Sequence, residues 1–284
     1  MSVSSDQDSG LRSSAETAVD AGSLTMEQAI ANLLQRQDLS LRYYAAWWLG
    51  KFRVREPAAV DALMAALDDQ DDRAPDGGFP LRRNAARALG KLGDRRAVPG
   101  LITCLHCDDF HVREAAAQAL EQLGDTSCVP TLTALLTSQV GKSSGLGLDQ
   151  PYDSILEALG TLQATEALSA IQPFLDHDIP RVRYAAARAM YQLTQEASYG
   201  DLLVAALQGS DLQLRRSALM DLGASGYVAA APAIAQALAE NSLKLIALQG
   251  LLDHQLQGDR SPVTQDLALS DTACDLLSLM DTLL

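Results

Sequence analysis

The feature that most constrains the fold is a sequence unit that recurs along most of the chain. LRYYAAWWLGK, which starts at Leu41, is followed by related segments that start at Leu81, Val112, Pro151, Val182, Leu214 and Leu245. The intervals are 40, 31, 39, 31, 32 and 31 residues, so the basic period is 31 and two units carry insertions. A period of this length is typical of a solenoid, in which each unit packs only against its neighbours.

Each unit has the pattern of two helices joined by short turns. If the first apolar residue of the recurring segment is position 0, apolar or small residues return at positions 4, 7, 8 and usually 11, which is one face of a helix. Gly93 and Gly124 stand where a glycine ends a helix. Prolines that suit the first turn of the next helix follow at Pro57, Pro99, Pro130 and Pro232. The pattern predicts an all-α fold, a right-handed α-solenoid of six to seven HEAT-like helical hairpins.

The chain ends and the two long intervals complete the predicted organisation. Residues 1–22 lack the basic and apolar regions of a signal peptide and are expected to form a disordered tail. The solenoid is predicted at 23–257, and 258–284 is expected to be a linker and a helix that caps the stack or docks a partner. Loop insertions are expected at 68–80 and 138–150. The first of them is acidic, and both disorder and contact with a partner protein are open interpretations.

Charge and cysteine content exclude several classes of protein. The chain has 22 basic and 36 acidic residues and a formal charge of −14, which argues against nucleic-acid binding because phosphates need a basic face. No apolar run is long enough to span a bilayer, so no membrane role is expected. Four cysteines are too few for a disulfide scaffold in 284 residues. They indicate reduced thiols in a cytoplasmic protein.

Helical geometry separates core positions from positions that face a groove. At about 100° per residue, positions 0, 4, 8 and 11 point into the core, and positions 2 and 6 lie nearly opposite. In solenoids of this kind the recurring helix lines the concave surface, so positions 2 and 6 predict a track along it. The successive pairs are Tyr43 and Trp47, Arg83 and Arg87, Glu114 and Gln118, Asp153 and Glu157, Tyr184 and Arg188, and Arg216 and Met220. The track therefore changes from aromatic to basic, then to acidic and mixed.

Other recurring positions have a structural interpretation. Positions 3 and 7 are mostly Ala or Ser, which allows adjacent helices to approach closely. The first repeat has Tyr44 and Trp48 there, and we expect both to pack, whereas Tyr43 and Trp47 face the groove as binding candidates. Position 1 is arginine in five repeats, and an aspartate three or four residues before position 0 is expected to cap the helix and pair with it. These aspartates are Asp38, Asp109, Asp178 and Asp211.

Motifs for common protein-based chemistry are absent from the sequence. Cys104 and Cys107 form a C-x-x-C pair with His106 inside it, but no second such pair exists to complete a tetrahedral zinc site, so no metal is expected. No phosphate-binding loop, dinucleotide-binding fingerprint or nucleophilic serine motif occurs. An enzyme with this sequence would therefore work by holding a reactive ligand in one geometry and excluding water.

Three segments in order carry a family resemblance. LRYYAAWWLGK, LRRNAARALGKLGD and QPYDSILEALG resemble the E-type subunit of the heterodimeric E/F phycobilin lyases of cyanobacteria. The resemblance covers about residues 25–252, and YYAAWWLGK and QPY are its specific elements. It implies that a smaller F-type subunit pairs with this chain. Together they would attach phycocyanobilin, an open-chain tetrapyrrole, to a cysteine of the phycocyanin α subunit through a thioether.

The resemblance implies that the track binds a bilin, and it implies roles for the residues of the track. Arg83 and Arg87 would hold the two propionates of the bilin. Asp153 or Glu157, with Asp149 beside the QPY element, would accept hydrogen bonds from the pyrrole nitrogens and act as catalytic carboxylates that favour the protonated chromophore. The other ligand-binding candidates are Tyr43, Trp47, Tyr44, Trp48, Tyr152, Tyr184 and Arg188. No cofactor is implied, because phycocyanobilin is the substrate.

Two alternatives stay open at this point. The first is a lyase for another bilin or biliprotein, or a lyase-isomerase that moves a double bond during attachment, because the same track would hold any bilin. The second is a non-catalytic HEAT-like adaptor whose groove binds a protein helix, with Tyr43 and Trp47 as its main contacts.

Overall fold

The computed structural model describes residues 24–75, 77–137, 150–258 and 269–284. Over these ranges the regular structure is entirely helical, with fifteen α-helices and five short 3-10 turns. No helix in the described ranges is both long and apolar enough to cross a membrane. The predicted tail at 1–22, most of the second insertion and the linker 259–268 lie outside the described residues.

The helices alternate between an outer and an inner layer. The outer helices are α1 (Met26–Leu34), α3 (Pro57–Ala66), α5 (Val98–Cys104), α7 (Val129–Thr137), α9 (Leu168–Ile171), α11 (Ala197–Ala206) and α13 (Ala231–Gln236). The inner helices are α2 (Leu39–Lys51), α4 (Pro80–Leu92), α6 (Phe110–Leu123), α8 (Tyr152–Thr161), α10 (Pro180–Thr194), α12 (Leu212–Ser225) and α14 (Asn241–Gly258). Successive inner helices pack closely on one another, and α15 (Asp271–Asp281) packs on α13 and α14. The seven hairpins confirm the predicted α-solenoid, while its right-handed sense stays a prediction.

The turn residues singled out in the sequence take their expected places. Gly93 and Gly124 follow α4 and α6 in the left-handed conformation, with φ of 75° and 64°. Pro57, Pro99 and Pro232 lie in the first turns of α3, α5 and α13. Three predicted helix caps are also confirmed, because Asp38, Asp109 and Asp211 accept hydrogen bonds from the first-turn amides of α2, α6 and α12. The prediction for Asp178 is wrong, since Ile179 precedes α10 and supplies no side-chain cap.

Four of the five arginines at position 1 tie their inner helix to the end of the outer segment before it. Three of them donate to the carbonyl oxygen six residues earlier, each at 2.6 Å, and these bonds join Arg113 to Cys107, Arg183 to His177 and Arg215 to Gly209. Arg42 donates to the carbonyl of Leu33 at the end of α1. Their structural role is confirmed, but the predicted pairing with the capping aspartate is wrong. The guanidinium instead satisfies carbonyl groups that a helix end leaves without partners.

Small residues set the spacing between successive inner helices. A Cβ atom added at Gly50 would lie 2.7 Å from the Cα of Ala88, and one added at Gly160 would lie 2.7 Å from the Cα of Ala189. Ala88 and Ala189 are both position-7 residues. The prediction that this position permits close helix approach is therefore confirmed.

Gly160→Ala is expected to lower the free energy of unfolding by about 1–3 kcal/mol, the usual effect of overpacking a tight contact. Its new Cβ would also lie 2.4 Å from Oε1 of Gln192. Gly100→Ala is the matched control, because a Cβ there meets only the terminal methyl of Leu67 and alanine favours helix. Urea denaturation compares the two variants. A Gly160→Ala protein as stable as wild type would contradict the close approach.

The first insertion is anchored to the solenoid. Asp69 accepts a hydrogen bond from Arg42 at 2.6 Å, and both side chains are only 7% exposed. The same carboxylate accepts from the backbone amides of Asp71 and Asp72. The guanidinium of Arg73 lies 4.3 Å from the ring centroid of Phe79. Disorder is therefore the wrong interpretation for this part of the insertion.

Candidate functional site

The inner helices present a groove that begins with exposed aromatic side chains. Tyr43 and Trp47 of α2 are 39% and 44% exposed, as their positions 2 and 6 predict. Met220, at position 6 of α12, is 44% exposed at the other end of the track. The geometry therefore agrees with the predicted track, while the binding role of Tyr43 and Trp47 stays a prediction.

Of the two aromatics expected to pack, only Trp48 does so. Trp48 is half-buried against the core, and its ring lies 4.8 Å from that of Phe52. Tyr44 is 46% exposed, with its ring 5.5 Å from the ring of Trp47. The packing prediction is wrong for Tyr44, because no hairpin among the described residues precedes α1 and α2 to cover position 3.

Two arginines of α4 follow the aromatic side chains along the groove. Arg83 is half-buried, and its buried Nε has no hydrogen-bond partner among the described residues. Arg87 is 44% exposed and lies 3.6 Å from Glu114 of α6. An exposed ion pair of this length contributes little, and a guanidinium with an unused donor can receive an anion. This part of the groove therefore carries positive charge that the fold does not fully neutralise.

A group of ionisable side chains, mostly buried except for the half-exposed Arg181, occupies the middle of the row of inner helices. The arginine–carboxylate cluster consists of Glu121, Asp153, Glu157, Arg181, Arg188 and Asp221. Arg188 is central, because it lies 2.9 Å from Glu121, 3.5 Å from Glu157 and 3.8 Å from Asp221. Arg181 lies 2.6 Å from Asp153 and 3.6 Å from Glu157. Four carboxylates thus share two guanidinium groups.

This excess of carboxylates changes the ionisation of the cluster. Burial, followed by repulsion from Asp221, raises the pKa of Glu157 to about 8, although Arg188 and Arg181 act in the opposite direction. Burial also raises the pKa of Asp221 to about 6, against the attraction of the same two arginines. Burial of the cluster therefore favours the protonated form of its carboxyl groups, and the effect is larger at Glu157 than at Asp221.

The sequence identified half of the cluster. Asp153, Glu157 and Arg188 were predicted groove residues, and their predicted roles stay predictions. Glu121, Arg181 and Asp221 were missed. Asp221 did have a signal in the sequence, because it occupies position 7, where most other repeats have alanine. A charged residue at a small-residue position was the pattern that could have revealed it.

Two other predicted site residues, both tyrosines, are less exposed than the predicted groove position requires. Tyr152 is buried, and its ring lies 5.1 Å from Phe174 and 6.0 Å from His177. This corrects its predicted place in the groove, since position 1 of α8 turns the ring towards the outer layer. Tyr184 is half-buried against the core. Asp149 lies outside the described residues.

Three neighbouring cavities lie beside the arginine–carboxylate cluster and along α12 and α14, and they share lining residues. A cavity of about 440 Å³ is lined by Glu157, Arg181, Arg188, Arg216, Met220 and Asp221, among others. A second, of about 520 Å³, shares Arg188 and Ala224 with it. A third, of about 720 Å³, shares Met220 and Ala224 and reaches Leu277 and Met280 of α15. Glu157 therefore borders an open volume despite its ion pairs.

The cysteines lie apart from the groove charges. Cys104, Cys107 and Cys128 are buried and free. Burial raises the pKa of the Cys104 thiol and raises that of Cys128 to about 11. Across the described residues, no three His, Cys, Asp or Glu side chains converge as a metal site would require.

Models of two repeat families match parts of the chain. A model of HEAT repeats matches residues 75–142 and 153–223. A model of the PBS lyase HEAT-like repeat matches residues 41–69, which include the aromatic segment of α2. The matches agree with the hairpins of the structure.

Individual proteins resemble the chain over most of its length. It is 61% identical to the phycocyanobilin lyase subunit alpha of Nostoc sp. strain PCC 7120, over 92% of this chain and 94% of that protein. The bilin biosynthesis protein PecE of Mastigocladus laminosus is 46% identical over 84% of this chain and 85% of that protein. A chain in the solved complex of CpcE and CpcF of phycocyanin lyase from Nostoc sp. PCC7120 is 59% identical, with a TM-score of 0.83 over 98% of this chain and 100% of that chain.

Proposed function

This chain belongs to the family of phycocyanobilin lyase alpha subunits, and we propose that it holds phycocyanobilin in its groove while an E/F heterodimer joins the bilin to a protein cysteine. The observation that carries the proposal is the similarity to a chain of the CpcE and CpcF complex, at 59% identity and a TM-score of 0.83. The acceptor in this proposal is the phycocyanin α subunit.

The groove offers the contacts that a bilin requires over the span from α2 to α8. Arg83 and Arg87 receive the propionates, because one has an unused donor and the other has only a long ion pair. Tyr43 and Trp47 supply exposed flat surfaces for the pyrrole rings. Helices packed at 8–10 Å place α4 and α8 roughly 16–20 Å apart, which an extended tetrapyrrole can bridge. The pyrrole nitrogens then reach towards Glu157.

Glu157 supplies the proton that activates the bilin. Burial raises the pKa of its carboxyl group to about 8, which favours the neutral form at pH 7, and the side chain lines a cavity beside α10 and α12. A protonated chromophore is a stronger electrophile at the ethylidene group of ring A. The acceptor sulfur adds to the exocyclic carbon of that group, and a proton ends on the ring. The addition needs no oxidant or reductant, and it leaves no second product.

The open groove explains why a partner subunit is part of the proposal. Tyr43 and Trp47 are exposed, so a ligand on them would remain in contact with water in the isolated chain. An F-type partner that covers the groove excludes this water and fixes the ligand. The heterodimer, and not this chain alone, is therefore the active species.

Coexpression tests the proposed function. The chain is produced with an F-type partner, a source of phycocyanobilin and the phycocyanin α subunit, and a denaturing gel is inspected for zinc-enhanced bilin fluorescence on the acceptor. A covalent adduct is expected, and its absorption spectrum distinguishes attachment from isomerisation. No adduct with any bilin and acceptor would overturn the lyase proposal and favour an adaptor that binds a protein helix.

The double variant Arg83→Ala/Arg87→Ala is expected to weaken bilin binding by about tenfold or more, because each charged hydrogen bond contributes about 1.5–3 kcal/mol. Fluorescence titration of the heterodimer with free bilin measures the affinity. Arg95→Ala/Arg96→Ala is the matched control, since these arginines precede α5 and bond to Gly124 and to Asp61 and Asp94, away from the groove. Equal affinities in both double variants would show that the propionate assignment is wrong.

A further inference from the structure

The first inner helix ends the stack with an apolar surface that the other inner helices bury. The end face consists of Leu41, Tyr44, Trp48 and Phe52, at positions 0, 3, 7 and 11 of α2. Leu41, Tyr44 and Phe52 are 41%, 46% and 60% exposed. The corresponding residues of α6 are Val112, Ala115, Ala119 and Leu123, and all four are buried against the preceding repeat. The end face is therefore a contact surface without a partner among the described residues.

The two ends of the described solenoid differ, because only one of them is covered by a further helix. At the other end α15 packs on α13 and α14, where its Ala273 and Leu276 are buried. Solenoids usually end in repeats with a polar outer face, because an apolar end promotes association. Large aromatic residues on the exposed end of α2 depart from this pattern. They indicate that the end face binds something.

A further helical repeat in the same register does not fit the end face. Between successive inner helices, position 7 is a small residue against a glycine, as at Ala88 and Gly50. In α2 position 7 is Trp48, whose ring is held 4.8 Å from Phe52. The partner must therefore present a different, separately shaped surface.

Positive charge adjoins the end face in a chain that is otherwise strongly acidic. The basic turn consists of Lys51, the last residue of α2, and Arg53 and Arg55, which follow the helix, and all three are exposed. Across the part of the chain that the structure describes, none of them has an ion pair or a side-chain hydrogen bond. The formal charge of the whole chain is −14, so three unpaired cations in five residues are a local reversal of sign. Such a patch steers an acidic partner to this end of the molecule.

A second copy of the chain is a poor occupant. A symmetric dimer pairs each surface with itself, so the cations of one basic turn would lie opposite those of the other. A partner that is released after each turnover fits better, because a charged patch beside the contact surface speeds association with a partner of opposite charge. In the proposed reaction that partner is the protein that accepts the bilin.

We propose that the end face and the basic turn dock the acceptor protein through a patch of its surface with carboxylates around an apolar centre. This inference rests on the proposed lyase function. Tyr44 of the end face contacts Trp47 of the groove, with ring centroids 5.5 Å apart. Docking at this end therefore brings the acceptor beside the part of the groove that holds the bilin.

The test is the variant Phe52→Ser/Arg55→Glu, assayed in the heterodimer with phycocyanobilin and acceptor apoprotein. Its KM for the acceptor is expected to rise about tenfold or more, as for loss of an interface hot spot, while kcat at saturating acceptor, bilin affinity and F-type partner binding stay unchanged. Rising salt should raise the wild-type KM and leave that of the variant nearly constant. Leu202→Ser and Lys91→Glu, at exposed positions outside the end face and the basic turn, are the controls.

The outcomes separate this inference from the proposed function. No adduct with wild-type protein overturns the lyase proposal and the inference with it. A normal adduct with an unchanged KM in the variant overturns the inference alone. If the variant no longer binds the F-type partner, that partner occupies the end face and the inference is wrong. The inference is also wrong if the wild-type chain forms a homodimer that the variant does not form.

Discussion

Arg188→Ala is expected to be among the most destabilising single substitutions in the chain. Its guanidinium is 10% exposed and lies within 4 Å of Glu121, Glu157 and Asp221. Removing one partner of a buried charge network costs about 3–5 kcal/mol, because the remaining charges stay buried without compensation. Urea denaturation at pH 8 measures the loss. The loss should shrink towards pH 5, where the orphaned carboxylates can take up protons.

A surface ion pair provides the comparison for Arg188. Arg36 pairs with Asp71 at 3.2 Å, but their side chains are 76% and 54% exposed. Arg36→Ala should therefore change the free energy of unfolding by no more than about 1 kcal/mol. Adding Glu157→Gln and Asp221→Asn to Arg188→Ala should recover part of the lost stability, since neither replacement side chain can ionise once Arg188 is gone. If Arg188→Ala is as stable as Arg36→Ala, the cluster does not contribute to the fold as inferred.

The fold could be predicted because the sequence signals for its helices are local and recur from one repeat to the next. The stripe of apolar residues, the helix-ending glycines and the first-turn prolines recur in unit after unit, so each copy confirmed the others. The arginines at position 1 show the limit of this reasoning. Their spacing from the capping aspartates suggested ion pairs, but spacing alone does not show that a carbonyl group at the end of the preceding helix is nearer.

The candidate site was only partly predictable, because it is built from departures from the repeat. Positions 2 and 6 correctly identified Tyr43 and Trp47 as exposed side chains of an inner helix. They did not show that Glu157 is buried among other charges, because its neighbours Glu121 and Asp221 come from repeats 36 residues before and 64 residues after it. The packing prediction for Tyr44 was wrong for a related reason. It assumed that a preceding repeat covers position 3, and none does among the described residues.

The protonation of Glu157 also affects stability, and the direction follows from its raised pKa. In the unfolded chain the carboxyl group ionises near its ordinary value of 4.5, whereas the folded protein holds the proton until about pH 8. Between these values the folded state binds more protons than the unfolded state. The contribution of Glu157 to stability is therefore fully present below about pH 4.5 and is lost as the pH rises through about 8.

Glu157→Gln should separate the catalytic and structural effects of that proton. Glutamine stays neutral at all pH values, so the variant should be more stable than wild type at pH 9 by at least about 1 kcal/mol. The same change removes the proposed proton donor, and the rate of bilin attachment should fall by about 100-fold or more. Denaturation at pH 5 and pH 9 measures the first effect, and single-turnover transfer to the acceptor measures the second. The wild-type rate should also decline above about pH 8, as Glu157 ionises.

The combination of higher stability and lower activity makes this prediction specific. Damage to the fold would lower both quantities, and an ordinary surface change would alter neither. Glu166→Gln removes the same charge from an exposed position outside the cluster and should leave both unchanged. Glu157→Asp keeps an ionisable group and should restore part of the rate. Full activity in Glu157→Gln would remove this carboxylate from the mechanism, and Asp153→Asn would then test the other carboxylate of α8, which Arg181 holds at 2.6 Å.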